Sequence, residues 1–180
     1  MPPSYVEKFL KIGNAMPYSI VAGISSSGKS TFINTQTDKS IVLPSSVSDT
    51  YALGNTTLVH YNTLRYANNK LEHAHRSFFC DSVLSRLLED PRLCEISYVF
   101  CSRRELLVRI NSRTTVENGH GRYPSRSIFP LVEGLNYGVF NRKWISLFDE
   151  LAIRARLIHA SDTNFTEVSF GEFEEIIDKY

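Results

Sequence analysis

Early in the chain, glycine, hydroxyl and ammonium side chains recur at a spacing that suits phosphate oxygen. Gly23 and Gly28 bracket Ile24, Ser25, Ser26 and Ser27, and Lys29, Ser30 and Thr31 follow at once. Two glycines let the backbone turn tightly, so that successive N–H groups point inward at anionic oxygen. Ser25, Ser26 and Ser27 fall within the same cradle. Lys29 places a mobile ammonium against the outer phosphates, and Thr31 is positioned for the inner one. Ser30 offers a hydroxyl to Mg²⁺, a cation that prefers oxygen ligands and keeps several waters. The run satisfies G-x-x-x-x-G-K-[ST], the phosphate-binding loop known as Walker A.

Such a loop works only between a strand and a helix, and the flanks supply both. Tyr18 to Ala22 reads as a short buried strand, and Ser30 to Asn34 opens a helix whose positive end adds to the anion site. A second constellation is Ser102-Arg103-Arg104-Glu105-Leu106-Leu107-Val108-Arg109-Ile110-Asn111-Ser112-Arg113. Arg109 and Arg113 are four apart, so one helical face can carry both. Planar guanidinium donors bind phosphate oxygens in pairs and stabilise charge as a phosphoryl group transfers. The plainer alternative is a solvated face on which Glu105 pairs with Arg109.

The rest of the chain alternates strands and helices. Residues 4–12 read as a short amphipathic helix, 40–43 as a second strand stopped by Pro44, and 45–53 as a loop or short helix. Thr56 to Tyr61 is the third strand, rich in β-branched residues, and 72–89 a helix with Phe78, Phe79, Val83, Leu84, Leu87 and Leu88 on its apolar face. The fourth strand is 95–101 and the charged amphipathic helix 103–112. A loop spans 116–127, a long helix 137–154, the fifth strand 156–160 and the closing helix 171–179. Five buried strands alternating with helices predict a three-layer α/β/α arrangement around a five-stranded parallel sheet. One domain over residues 1–180 is the economical organisation, with the ligand at the carboxyl ends of the strands.

Composition excludes several classes of function. The 180 residues carry 20 Lys and Arg against 19 Asp and Glu, and at a net charge of +1 no broad nucleic-acid surface is expected. No apolar run approaches the length of a membrane span, and the first residues lack a signal-peptide pattern, so a cytoplasmic location is expected. Cys80, Cys94 and Cys101 show no C-x-x-C spacing and read as buried reduced thiols. His73 and His75 suit neither one helix face nor a zinc pair, so no structural metal is expected.

The pairing of GISSSGKST with RRELLVRINSR after the fourth strand resembles the small P-loop kinases, among them the nucleoside-monophosphate, shikimate and gluconate kinases. The resemblance covers the order of elements through most of the chain. It implies ATP and Mg²⁺ as cofactors and nucleotide contacts for Gly23, Gly28, Lys29, Ser30 and Thr31. It also implies a mobile lid over about residues 103–127, whose Arg109 and Arg113 close on the phosphates. The third strand departs from the family, because it ends at Asn62 where an acidic residue usually helps to hold Mg²⁺ through water.

A kinase also needs a group that orients or deprotonates its acceptor hydroxyl. Asp49 is the first candidate, since several of these kinases carry an acceptor-binding carboxylate after strand two; a helix cap or turn residue is the alternative. His60 is the second, as an imidazole near neutrality, and Asp81 the third. The expectation is an ATP-dependent phosphotransferase acting on a small-molecule hydroxyl, such as that of a sugar or nucleoside. The alternatives are a nucleotide-binding regulatory module, a slow NTPase or a sulfotransferase.

Overall fold

The structure is a computed structural model and describes residues 17–35, 39–44, 48–53, 56–67, 70–72, 87–118, 121–162 and 164–179. Eleven strands are present among these residues, seven of them in one sheet. Its core is β1 (Tyr18–Gly23), β4 (Thr56–Asn62), β7 (Leu93–Phe100) and β10 (Ala155–Ser161), which pair with one another in parallel. Beside β4 lies β3 (Ser48–Leu53), antiparallel to it, and at that edge β2 (Lys39–Pro44), antiparallel to β3. The opposite edge is β11 (Asn164–Val168), antiparallel to β10. The full order is β11-β10-β7-β1-β4-β3-β2.

The five predicted strands are all present and run in one direction, but the sheet is larger than expected and mixed. Loop length is the physical reason. Only residues 45–47 separate β2 from β3, 54–55 separate β3 from β4, and 162–163 separate β10 from β11. Connections this short close hairpins, whereas a parallel pair needs a crossover of a dozen residues or more. The segment 45–53, expected as a loop or short helix, therefore contains a strand. Two small hairpins are further additions: β5 (Arg65–Ala67) with β6 (Lys70–Glu72), and β8 (Thr115–Asn118) with β9 (Gly121–Pro124).

Helices cover both faces, as the parallel core demands. On one face α1 (Lys29–Thr35) sets Phe32 and Ile33 against Val21, Leu58, Val99, Ile158 and Ala160. The larger core lies on the other. There α2 (Arg103–Asn111), α3 (Ser125–Glu133), α4 (Tyr137–Glu150) and α5 (Phe170–Asp178) bury side chains against Tyr18, Ile20, Ala22, Ile96, Tyr98 and Phe100. The alternation along β1, even residues to one core and Val21 to the other, follows the two-residue period of a strand. Edge-to-face aromatic pairs fill the larger core, with Phe100 and Phe173 centroids 4.8 Å apart at 77°.

Capping sets where α2 begins. The Ser102 side chain accepts from the Glu105 backbone N–H while the Glu105 carboxylate accepts from the Ser102 N–H, a reciprocal capping box. The helix ends at Asn111, so Arg113 lies beyond it and does not share its face with Arg109. Residues 103–127, expected as a lid, hold α2, the β8–β9 hairpin and the start of α3, and they bury Leu106, Ile110 and Val116 in the core. The long helix stops at Glu150, where Ala152 turns the chain with φ 52°. The helix expected at 4–12 and most of that at 72–89 lie outside the described residues, as do Asp81, Cys80, His73 and His75. Cys101 is buried as expected, but Cys94 is exposed on the irregular start of β7.

Gly23 is where sheet and loop meet. Its φ is +153°, and a Cβ there would stand 2.2 Å from the Val99 carbonyl oxygen and 2.9 Å from Ser27 Oγ. The nearer obstacle is backbone and cannot swing aside, so only glycine lets β1 hand the chain into the loop. We expect Gly23→Ala to cost about 3 kcal/mol or more, lowering the thermal midpoint by roughly 10 °C in a chain of this size. An unchanged melting curve would contradict the close approach.

Candidate functional site

The turn after β1 wraps a small polar pocket. Ser25, Ser26, Gly28, Lys29, Ser30, Thr31, His60, Asn62 and Arg113 line it. Three features hold the loop in shape. The Ser27 N–H donates to the Ile24 carbonyl at 3.0 Å, and the Phe32 N–H to that of Gly28 at 2.8 Å. Ser26 sits in the left-handed region at φ 72° and Gly28 at φ 110°. A serine held in that region marks a local cost that the surroundings must offset, and such costs gather at functional sites.

Lys29 is buried under its own loop, where its Nζ donates to the Ile24 carbonyl at 2.7 Å. Burial, with the Arg113 guanidinium close by, pushes its pKa down from 10.5 to about 7. His60 stands opposite Val21 and Asn62 opposite Gly23 in the β1–β4 register, so β4 delivers both to the pocket floor. Burial, reinforced by the Lys29 charge, drives the His60 pKa down from 6.5 to about 3. The expectation of an imidazole near neutrality therefore does not hold for the ligand-free protein. In both residues the largest cause is burial, which disfavours the charged form.

The lining itself is selective. Its described residues supply two cations, Lys29 and Arg113, and four hydroxyls from Ser25, Ser26, Ser30 and Thr31, and no carboxylate is among them. Ser26 Oγ is buried with no hydrogen-bond partner, as is Ser27 Oγ beneath the loop. Buried orphan hydroxyls beside a desolvated ammonium fit the terminal oxygens of a phosphate chain. No known protein-family model matches the chain, and no curated protein matches it in sequence. The geometry of the pocket therefore bears the functional argument.

The sequence-derived candidates divide. Lys29, His60 and Arg113 come together with Ser25, Ser26, Gly28, Ser30 and Thr31, while Ser27 and Gly23 support the loop from below. Asp49 lies in β3, paired in register with His60, one strand from the pocket. Arg109 does not line the pocket. Its two terminal nitrogens donate to the carbonyls of Ser27, at 2.9 Å, and Ala160, at 2.7 Å, on the outer side of the loop. In this arrangement Arg109 grips the loop from outside, and the polar face of α2 packs against the end of β10. Contacts of the loop with β10 and β11 are not announced by any local sequence pattern. A Cβ on Gly28 would lie 3.1 Å from Ala160 Cβ and 3.5 Å from the Phe165 ring. They follow from the two-residue link before Asn164, which forces the chain back antiparallel beside β10.

Ser30 is exposed at the first turn of α1, where its hydroxyl fits a Mg²⁺ ligand. Among the described residues no three His, Cys, Asp or Glu side chains gather as a metal site. Of the described lining residues, Ser30 and Asn62 are the ones whose side chains could hold a Mg²⁺ ion or orient its waters. None of the described helices is long and apolar enough to cross a membrane.

The buried ammonium leaves a measurable trace in stability. The unfolded chain holds the Lys29 proton up to pH 10.5, while the folded chain releases it near pH 7. The unfolded state thus binds more protons across that window, and stability rises with pH through it. We expect Lys29→Met to stabilise the ligand-free protein by about 1 kcal/mol or more at pH 6.5, with the gain shrinking by pH 9.5. Urea titrations at the two pH values check this, and a variant less stable than wild type at pH 6.5 would contradict the burial of a charged group.

Proposed function

We propose that this protein is an ATP-dependent phosphotransferase that acts on a hydroxyl group of a small molecule. The observation that carries the reading is the pocket lining: two cations and four hydroxyls around a glycine turn, with no carboxylate among the described lining residues. Such a lining selects a compact polyanion. In this reading Lys29 leaves the Ile24 carbonyl and moves onto the outer phosphates, and Arg113 closes the open side. Gly28 and the loop serines hold the inner oxygens, with Thr31 nearest the nucleoside. The Mg²⁺ that travels with ATP neutralises phosphate charge when bound, and Ser30 would hold it.

The acceptor side rests on the β3–β4 register, which pairs Asp49 with His60, and His60 lines the pocket. A carboxylate there can take the proton of an acceptor hydroxyl as the phosphoryl group leaves ATP. His60, neutral at pH 7, orients that hydroxyl by hydrogen bonding. Phosphoryl transfer asks for positioning and charge stabilisation more than for covalent chemistry, and this set of groups provides both.

A second reading, a nucleotide-binding regulatory module or slow NTPase without a small acceptor, draws on one observation. Asn62 occupies the pocket floor at the end of β4, and no carboxylate replaces it among the described lining residues.

Calorimetric titration with a non-hydrolysable ATP analogue tests the phosphate site. We expect binding that requires Mg²⁺ and falls at least a hundredfold in Lys29→Ala, a loss of about 3 kcal/mol, with no loss of fold. ADP release that depends on an added hydroxyl compound and drops in Asp49→Asn would support the kinase. Release that ignores every acceptor would favour the second reading, and no binding of any triphosphate would refute both.

A further inference from the structure

We propose that Arg109 is a positioning residue that locks the Ser27–Gly28 peptide so that the Gly28 N–H faces the phosphate pocket, without touching phosphate itself. The inference rests on the reading of the loop as a phosphate site. In a trans peptide the C=O and the following N–H point in opposite directions, and no peptide among the described residues is cis. The Ser27 carbonyl points outward, where Arg109 Nη1 donates to it at 2.9 Å. The N–H of the same peptide belongs to Gly28 and must point the other way, toward the pocket that Gly28 lines.

The second arm of the guanidinium ties this peptide to the sheet. Arg109 Nη2 donates to the Ala160 carbonyl at 2.7 Å, near the end of β10. One planar fork thus bridges a turn and a strand with two donors in fixed directions, a geometry that a rotating ammonium on a flexible stem does not fix. The helix that carries it is anchored on the same strand: Glu105, one turn earlier on that face, places its carboxylate 3.9 Å from His159 Nε2. Gly28 has a φ of +110° and so little intrinsic preference for one orientation. An external clamp on its peptide is what converts a permissive turn into a fixed donor. A donor held in place before the anion arrives binds it without an ordering cost.

The test compares wild type with Arg109→Ala and Arg109→Lys, using inorganic tripolyphosphate as the probe. Calorimetry reads affinity, and the Gly28 amide signal in ¹H–¹⁵N spectra reads the donor directly. We expect both variants to bind at least about tenfold more weakly, the scale of one lost charge-assisted hydrogen bond. The downfield shift of the Gly28 proton on binding should shrink in both. Arg109→Lys decides between roles, because it keeps a cation that could reach phosphate but loses the fork. Wild-type affinity and a full Gly28 shift in Arg109→Lys would overturn the clamp, as would wild-type behaviour in Arg109→Ala. Should Arg109→Ala not fold, Arg109→Lys carries the test alone. Failure of the wild-type protein to bind tripolyphosphate would instead refute the phosphate site on which the inference stands.

Discussion

An ammonium group held out of water by its own loop is the constraint on which the site depends. Lys29 is buried, and its ammonium donates to the Ile24 carbonyl. That bond is a poor exchange for hydration, which is why burial lowers the Lys29 pKa to about 7. The same desolvation reaches His60, across β4. The protein tolerates this because the sheet around the loop over-determines it. Gly23 passes against the Val99 carbonyl with no room for a side chain, Arg109 grips the loop from outside, and Ala160 and Phe165 close on Gly28. Local stability is given up at a point where an anion would restore it, a common trade at functional sites.

The elements nearest the loop were the most legible in the sequence. The apolar run from Tyr18 and the glycine spacing locate β1 and the turn within one residue, because periodicity and backbone freedom are local properties. The helix from Arg103 was equally readable from its charged amphipathic pattern, and the Ser102–Glu105 capping box in the structure fixes where it starts. The edges of the sheet were not. β3 and β11 are strands because of how short their links are, and their direction is a tertiary consequence that residue types do not announce. The helix α3 was hidden by Pro130, which normally breaks a helix interior yet here sits in the last half of a nine-residue one.

The candidate site divides along the same line. Lys29, Ser30 and the loop residues follow from a contiguous motif. His60 and Asn62 join them through the β1–β4 register, which the sequence does not state. Arg109 shows the limit most clearly. Its spacing from Arg113 implied a shared helical face, but α2 ends at Asn111, so the two arginines act on opposite sides of the loop. Residue type named the chemistry of each guanidinium, and only the packing of α2 on β10 assigned the partner.

The central claim is that the loop holds Lys29 ready for a phosphate chain, and the titration of its Nζ tests this most directly. Nitrogen-detected NMR of ¹⁵N-labelled lysine would follow that group alone. The account predicts a midpoint of about 7 without ligand, moving above about 9 with saturating tripolyphosphate, as an opposite charge at contact distance requires. A midpoint that does not move when tripolyphosphate is added would contradict it.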